Sequence, residues 1–207
     1  MLRNFDLLGL LVAAPGLLMA LVLHEYAHAR VADRLGDPTP RASGRLSLDP
    51  LAHLDPIGTL MLLAFGFGWA RPVPVNPFYF RNPVVGMAYV AAAGPLTNAL
   101  IALVTFVVLR LWWPAGLVGE ALVYTAYINV LLTVFNLIPV PPLDGSRVLR
   151  AVLGRRGQWL DAAESYGWLL VILLLVTNVI DVVLFPAAGL LLGVLQSAAD
   201  VLTAPLR

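Results

Sequence analysis

The sequence has no cysteine, no lysine and few charges of either sign. Without cysteine there are no disulfides and no thiolate metal sites. Any metal must be held by imidazole and carboxylate, a donor set that suits zinc or another divalent transition ion. Charged residues are 12% of the 207 residues, whereas a soluble domain carries about a quarter. A net charge of +1 gives no argument for nucleic acid or an acidic partner. All thirteen basic residues are arginine, and no physical reason for that is evident. Apolar residues dominate instead, at 60% with a mean hydropathy of +0.86. This composition places the chain in the membrane class.

Arg3 precedes an apolar run, and Ala27-His28-Ala29 resembles a signal-peptide cleavage site. Cleavage there would discard the most chemically informative stretch of the chain, so the segment is read as retained. Four regions are long and nearly free of charge: residues 7–23, 84–109, 121–143 and 165–199. A spanning helix needs about 20 apolar residues, so the first three each fit one span. The fourth is too long for one, and Asp181 and Pro186 are expected to divide it into two short helices joined by a tight turn.

The apolar run 57–69 is too short to span and reads as re-entrant or interfacial. Its flanks look extended. Arg45-Leu46-Ser47-Leu48-Asp49 alternates with period two, and the prolines of Pro72-Val73-Pro74-Val75-Asn76-Pro77 exclude a helix. The expected fold is therefore an all-α polytopic bundle of five to six hydrophobic segments. A small re-entrant or β element lies between the first and second full spans. One integral membrane domain is expected to fill residues 1–207, with its main part at about 7–152 and a helical hairpin at about 165–203.

Arginine placement orients this bundle. If run 57–69 does not cross, Arg30, Arg34, Arg41, Arg45, Arg71 and Arg81 lie on one side, with Arg147, Arg150, Arg155, Arg156 and Arg207. Only Arg3 and Arg110 lie on the other. The positive-inside rule then makes the arginine-rich side cytoplasmic and the N-terminus external, in five spans. The cluster Arg147, Arg150, Arg155 and Arg156 is expected to set topology and meet anionic headgroups.

The chemistry lies in His24-Glu25-Tyr26-Ala27-His28, at the end of the first apolar run. On a helix, residues four apart share a face, so His24 and His28 can offer two nitrogens to one ion. Catalytic zinc takes three protein ligands and leaves one position open for water. In this motif Glu25 serves as general base and then as proton donor to the leaving amine. Paired histidines also occur as ordinary surface groups, but ionisable groups inside a spanning helix are costly and point to function. The best third ligand is Asp144 of Leu143-Asp144-Gly145, because the runs ending near His28 and near Asp144 both cross outward to inward. The bland alternative is an ordinary Asp-Gly turn.

These motifs together resemble the site-2 protease family of intramembrane metalloproteases. The resemblance rests on His24-Glu25-Tyr26-Ala27-His28, Gly94-Pro95-Leu96-Thr97-Asn98, and Phe135-Asn136-Leu137-Ile138-Pro139 through Asp144-Gly145. Residues 51–59 and 68–77 resemble its compact bacterial and archaeal branch without a PDZ domain. The similarity runs from about residue 7 to 152. It implies one zinc ion on His24, His28 and Asp144, catalysis by Glu25, and cleavage of transmembrane helices of other proteins, often to release a cytoplasmic regulator. Many members carry Asn-Pro-x-Asp-Gly where this chain has Pro141-Pro142-Leu143-Asp144-Gly145. The aspartate is kept and the asparagine is not.

Asn98 follows Gly94-Pro95 by one turn. It is a candidate for an oxyanion or substrate hydrogen bond, with helix-helix glue as the alternative. Gly86, Ala91, Ala92, Ala93 and Gly94 permit close helix approach. His53 could be an accessory ligand, a substrate contact, or an interfacial histidine bonded to backbone. Asn129 and Asn136 read as structural. Asn178 and Asp181 mark the outer end of the C-terminal hairpin or an access path for water.

The expected activity is zinc-dependent hydrolysis of peptide bonds within or near transmembrane segments. The alternatives are an inactive metal-binding scaffold, in which Glu25 has no purpose, and a divalent-metal transporter, which needs ionisable groups spread across the membrane. Expected partners are single-span membrane substrates and the bilayer, with a homo-oligomer or a regulatory membrane protein left open. Unwound substrate is expected to pair with strands around 45–49 and 73–76. The site should lie near the cytoplasmic face of a multi-pass cell-membrane protein.

Overall fold

Proline, asparagine and glycine set the ends of the long apolar helices. The computed structural model describes residues 7–65 and 68–206. Helix α1 spans Leu7–Arg34. Short helices α2 (Thr39–Ala42), α3 (Pro50–His53) and α4 (Pro56–Phe65) follow. Helix α5 spans Pro83–Leu111, capped by Asn82, whose side chain accepts from the Val85 amide, while Pro83 takes a position that needs no N–H. Helix α6, Leu117–Leu137, starts after Gly116 at φ 67°. Pro139, Pro141 and Pro142 prevent its continuation, and α7 begins anew at Asp144–Leu153.

The expected β element does not form as strands. Among the described residues only Leu54 and Ala70 make an isolated antiparallel bridge. Pro50, Pro72, Pro74 and Pro77 remove the donors a ladder would use. Side chains hold these segments instead. Arg45 donates to the Ala52 and Arg71 carbonyls, and His53 Nε2 donates to the Ser47 carbonyl at 2.7 Å. The buried Asp37 accepts from the Thr39 amide at 2.9 Å and the Asn76 amide at 2.7 Å. Most of the run 57–69 becomes α4, and its residues 66 and 67 lie outside the described residues.

The C-terminal region is two helices joined by a tight turn, with the break displaced from the expected Asp181 and Pro186. After α8 (Gln158–Ala163) come α9 (Gly167–Val176) and α10 (Val179–Thr203). The break falls at Asn178, which adopts the left-handed conformation at φ 55°, a region asparagine tolerates. Pro186 lies inside α10, as prolines do in membrane helices whose neighbours satisfy the freed carbonyl. Ten residues make α9 about 15 Å long, too short to span, whereas the 25 of α10 reach about 37 Å. The region thus holds one helix of span length among the described residues. Span-length apolar helices are four among the described residues: α1, α5, α6 and most of α10.

Arg110, near the end of α5, pairs with Asp200, near the end of α10, at 2.6 Å. The two helices therefore run parallel and finish at the same end of the bundle. That places the end of α10 with Arg110 and away from Arg147; Arg207 lies outside the described residues. The core supports this alignment. Ala102, Phe106 and Leu109 of α5 pack with Ala126 and Val130 of α6 and with Ala188, Leu195 and Ala199 of α10.

On the outer faces, apolar side chains are left exposed. Leu96, Leu100 and Val104 form a stripe on α5 at four-residue spacing, 52–68% exposed. Water would not tolerate such contiguous surfaces on a monomer, and a bilayer requires them. The chain is an all-α, multi-pass membrane protein.

Candidate metal centre

The His24-x-x-x-His28 spacing places both rings on one face of α1, with centroids 4.5 Å apart and nearly perpendicular planes. Each ring is fixed from behind through its Nδ1. That of His24 lies 2.8 Å from Asn98 Oδ1, and that of His28 lies 2.7 Å from the Val90 carbonyl, both on α5. Those acceptors require Nδ1–H tautomers and leave both Nε2 lone pairs free for a metal. Gly94 makes the approach feasible. A Cβ there would sit 2.5 Å from His24 Nε2 and 2.6 Å from His28 Cε1.

Asp144 arrives from α7, at the first helical position after the proline run. A Cβ on the next residue, Gly145, would sit 2.2 Å from the Leu137 carbonyl, so glycine lets α7 start against the end of α6. Asp144 Oδ2 lies 3.3 Å from His24 Nε2 and 3.4 Å from His28 Nε2. It is buried without a hydrogen-bond partner. Burial pushes the Asp144 carboxyl up, but the neighbouring His28 and His24 rings outweigh it and hold the group well below the usual carboxylate range. It is thus ionised, as a metal ligand must be.

The distances fit zinc. Two ligand atoms each about 2.0–2.1 Å from a tetrahedral ion lie about 3.3–3.4 Å apart, as these do. The three donor atoms converge within 4.8 Å of one another, with no other His, Asp or Glu joining them among the described residues.

Glu25 lines the same cavity of about 320 Å³ as His24, His28 and Asp144. Its Oε2 accepts a hydrogen bond from the Val73 amide at 3.2 Å. The extended segment 71–76 thus crosses the site, anchored at Arg71 by Arg45, at Val73 by Glu25 and at Asn76 by Asp37. Burial and the Arg71 charge push the Arg45 guanidinium down, opposed by the Glu25 carboxylate.

Not every candidate joins the site. Asn98 is fully buried behind His24 and does not line the cavity; its amide nitrogen has no partner. Its Oδ1 holds the His24 ring. His53 is fully buried in the loop region and bonds Ser47, apart from the donor group. It takes the backbone-bonded alternative. Asn129 bonds the Thr125 carbonyl within α6, as a structural residue does. Asn178 is the exposed hinge before α10, and the Asp181 side chain lies outside the described residues.

Two polar residues of the cavity wall were not singled out as site residues: Asn136 and Arg147. Arg147 follows Asp144 by three residues, the spacing that shares a helix face, and that was the available signal. Of the basic cluster, Arg147 pairs with Glu164 at 2.9 Å and Arg150 with Asp161 at 2.8 Å.

Comparison with known proteins agrees with this chemistry. The family description "Peptidase family M50" matches residues 112–178, a stretch that contains Asp144. "Putative zinc metalloprotease YwhC" of Bacillus subtilis (strain 168) is 40% identical over 181 residues, covering 82% of this chain and 82% of that protein. "Putative zinc metalloprotease Rip2" of Mycolicibacterium smegmatis is 32% identical over 192 residues, covering 87% and 73%. "Zinc metalloprotease MJ0392" of Methanocaldococcus jannaschii is 28% identical over 149 residues, 72% of this chain but 36% of that longer protein. No solved structure gives a significant match. The chain is a metalloprotease of peptidase family M50, the site-2 protease family that its motifs resemble.

Proposed function

We propose that this protein is an intramembrane endopeptidase that binds one zinc ion through His24 Nε2, His28 Nε2 and Asp144 Oδ2. The observation that carries the reading is the convergence of these atoms, 3.3 and 3.4 Å apart, in a cavity that Glu25 also lines. Zinc, when bound, supplies a Lewis acid that polarises the peptide carbonyl and acidifies water.

The chain's own groups do the rest. Glu25 accepts a proton from the attacking water and delivers it to the departing nitrogen as the C–N bond breaks. The Val73 amide holds Glu25 Oε2 and so fixes where that proton is received. Asn98 and the Val90 carbonyl hold the two imidazoles in the tautomers that binding needs.

The substrates are transmembrane segments of other membrane proteins, cleaved near the cytoplasmic end of α1, with the N-terminus outside. A helical substrate must be unwound, because unpaired peptide groups in lipid cost several kcal/mol each. The segments around 45–49 and 73–76 are the surface on which the unwound strand docks, and exposed Leu48 favours that use. Proline at Leu46 or Leu48 then abolishes cleavage with zinc retained, and full activity of those variants would remove the docking role.

The principal test compares wild type with Glu25→Gln on a single-span substrate, with zinc measured. The variant keeps its zinc and loses cleavage by about 10²–10⁴-fold. Equal cleavage by both proteins would overturn the mechanism.

A further inference from the structure

Arg147 is the one permanently cationic side chain among the described residues that line the active-site cavity. It lies one helical turn beyond Asp144 on the same face of α7. Its guanidinium is held toward the start of α9 by Glu164, Nη2 to Oε1 2.9 Å. It therefore stands at the rim of the cavity, beside rather than within the metal group.

The pair is easily exchanged. The side chains of Arg147 and Glu164 are 37% and 53% exposed, and ion pairs in contact with water contribute little. A carboxylate brought into the cavity by a bound peptide would meet the same guanidinium in a drier setting, where the bond is stronger. One turn further on, Arg150 makes the equivalent pair with Asp161 outside the cavity. The two arginines share charge, helix and type of partner, and differ in access to substrate.

We propose that Arg147 is a specificity-determining residue that selects substrates carrying an acidic side chain beside the scissile bond. Glu164 acts as the resident surrogate that the substrate carboxylate displaces. The inference rests on the protease reading above and adds the chemical class of peptide that the site prefers.

The test uses full-length enzyme in liposomes. The substrates are single-span proteins with Asp, Asn or Lys at each position flanking the cleaved bond in turn. Wild type cleaves the best-placed Asp substrate about tenfold faster than its Asn counterpart in kcat/KM. Arg147→Gln removes the preference, and Arg147→Glu transfers it to Lys. Glu164→Gln frees the guanidinium and lowers KM for the Asp substrate. Arg150→Gln loses a like ion pair and leaves the ratio unchanged. Measured zinc content confirms that each variant keeps its metal. Equal Asp and Asn rates in wild type, or equal shifts in the Arg147→Gln and Arg150→Gln enzymes, overturn the proposal while the protease reading stands. Failure of wild type to cleave any member counts against the protease reading and removes this proposal with it.

Discussion

His24 Nδ1 and Asn98 Oδ1 lie 2.8 Å apart, both buried, and that contact assigns a role to each residue. Nδ1 must carry the proton, so Nε2 is the nitrogen left free for a metal. The amide oxygen is committed to the ring and the side chain does not reach the cavity.

Asn98→Ala should therefore weaken zinc binding by about 10–100-fold, the usual effect of losing a partner behind a ligand. Competition with a chromogenic chelator measures it. Normal zinc affinity combined with a large fall in kcat would restore the oxyanion role suggested by the motif.

Gly94→Ala should cost metal before it costs fold. The new methyl would sit 2.5 Å from His24 Nε2, so either the ring or α5 must move. Overpacking of this kind costs about 1–3 kcal/mol. Substoichiometric zinc in a protein that still elutes as a single detergent-solubilised species is the expected result. Full zinc content would show that the rings tolerate displacement.

His53→Ala separates loop stability from metal binding. His53 is fully buried and its Nε2 bonds the Ser47 carbonyl at 2.7 Å. Losing that bond and leaving an unpaired carbonyl costs about 1–3 kcal/mol. A lower thermal midpoint with unchanged zinc content is expected. Loss of zinc at unchanged stability would make His53 an accessory ligand.

Topology can be read directly because the chain has no cysteine to confuse labelling. The Arg110–Asp200 pair puts the α5–α6 loop and the end of α10 at one end of the bundle. Ala115→Cys and Ala204→Cys should react with an impermeant maleimide from the same side, and Arg155→Cys from the opposite side. Reaction of Ala204→Cys together with Arg155→Cys would return the five-span arrangement.

Much of the site was legible because its signals are local. His24, Glu25 and His28 belong to one helix, and their depth in an apolar run is itself the anomaly. Asp144 follows from the same rule and from the direction in which each helix runs. The break at Asn178 was harder to place. Asp181 and Pro186 look like stronger interruptions, but a membrane helix tolerates an internal proline, and a left-handed asparagine is a conformation rather than a composition. The β expectation failed for a related reason. Period-two alternation at 45–49 is real, but prolines on the facing segment remove the donors that would turn it into a ladder.

Composition, the helical spacing of two histidines and the depth of a few charges were enough to indicate the membrane class, the protease family and the residues that could hold a metal. These depend on solvent preference and on residues a few positions apart. The tertiary structure alone decided which groups stand behind the two histidines, which line the cavity, and where the C-terminal helices break. His24 and Asn98 are 74 positions apart, and nothing in local sequence sets the direction of one side chain toward the other. That direction is fixed only when the glycine at 94 lets α5 close against α1 and the Nδ1 proton of His24 meets the Asn98 amide oxygen.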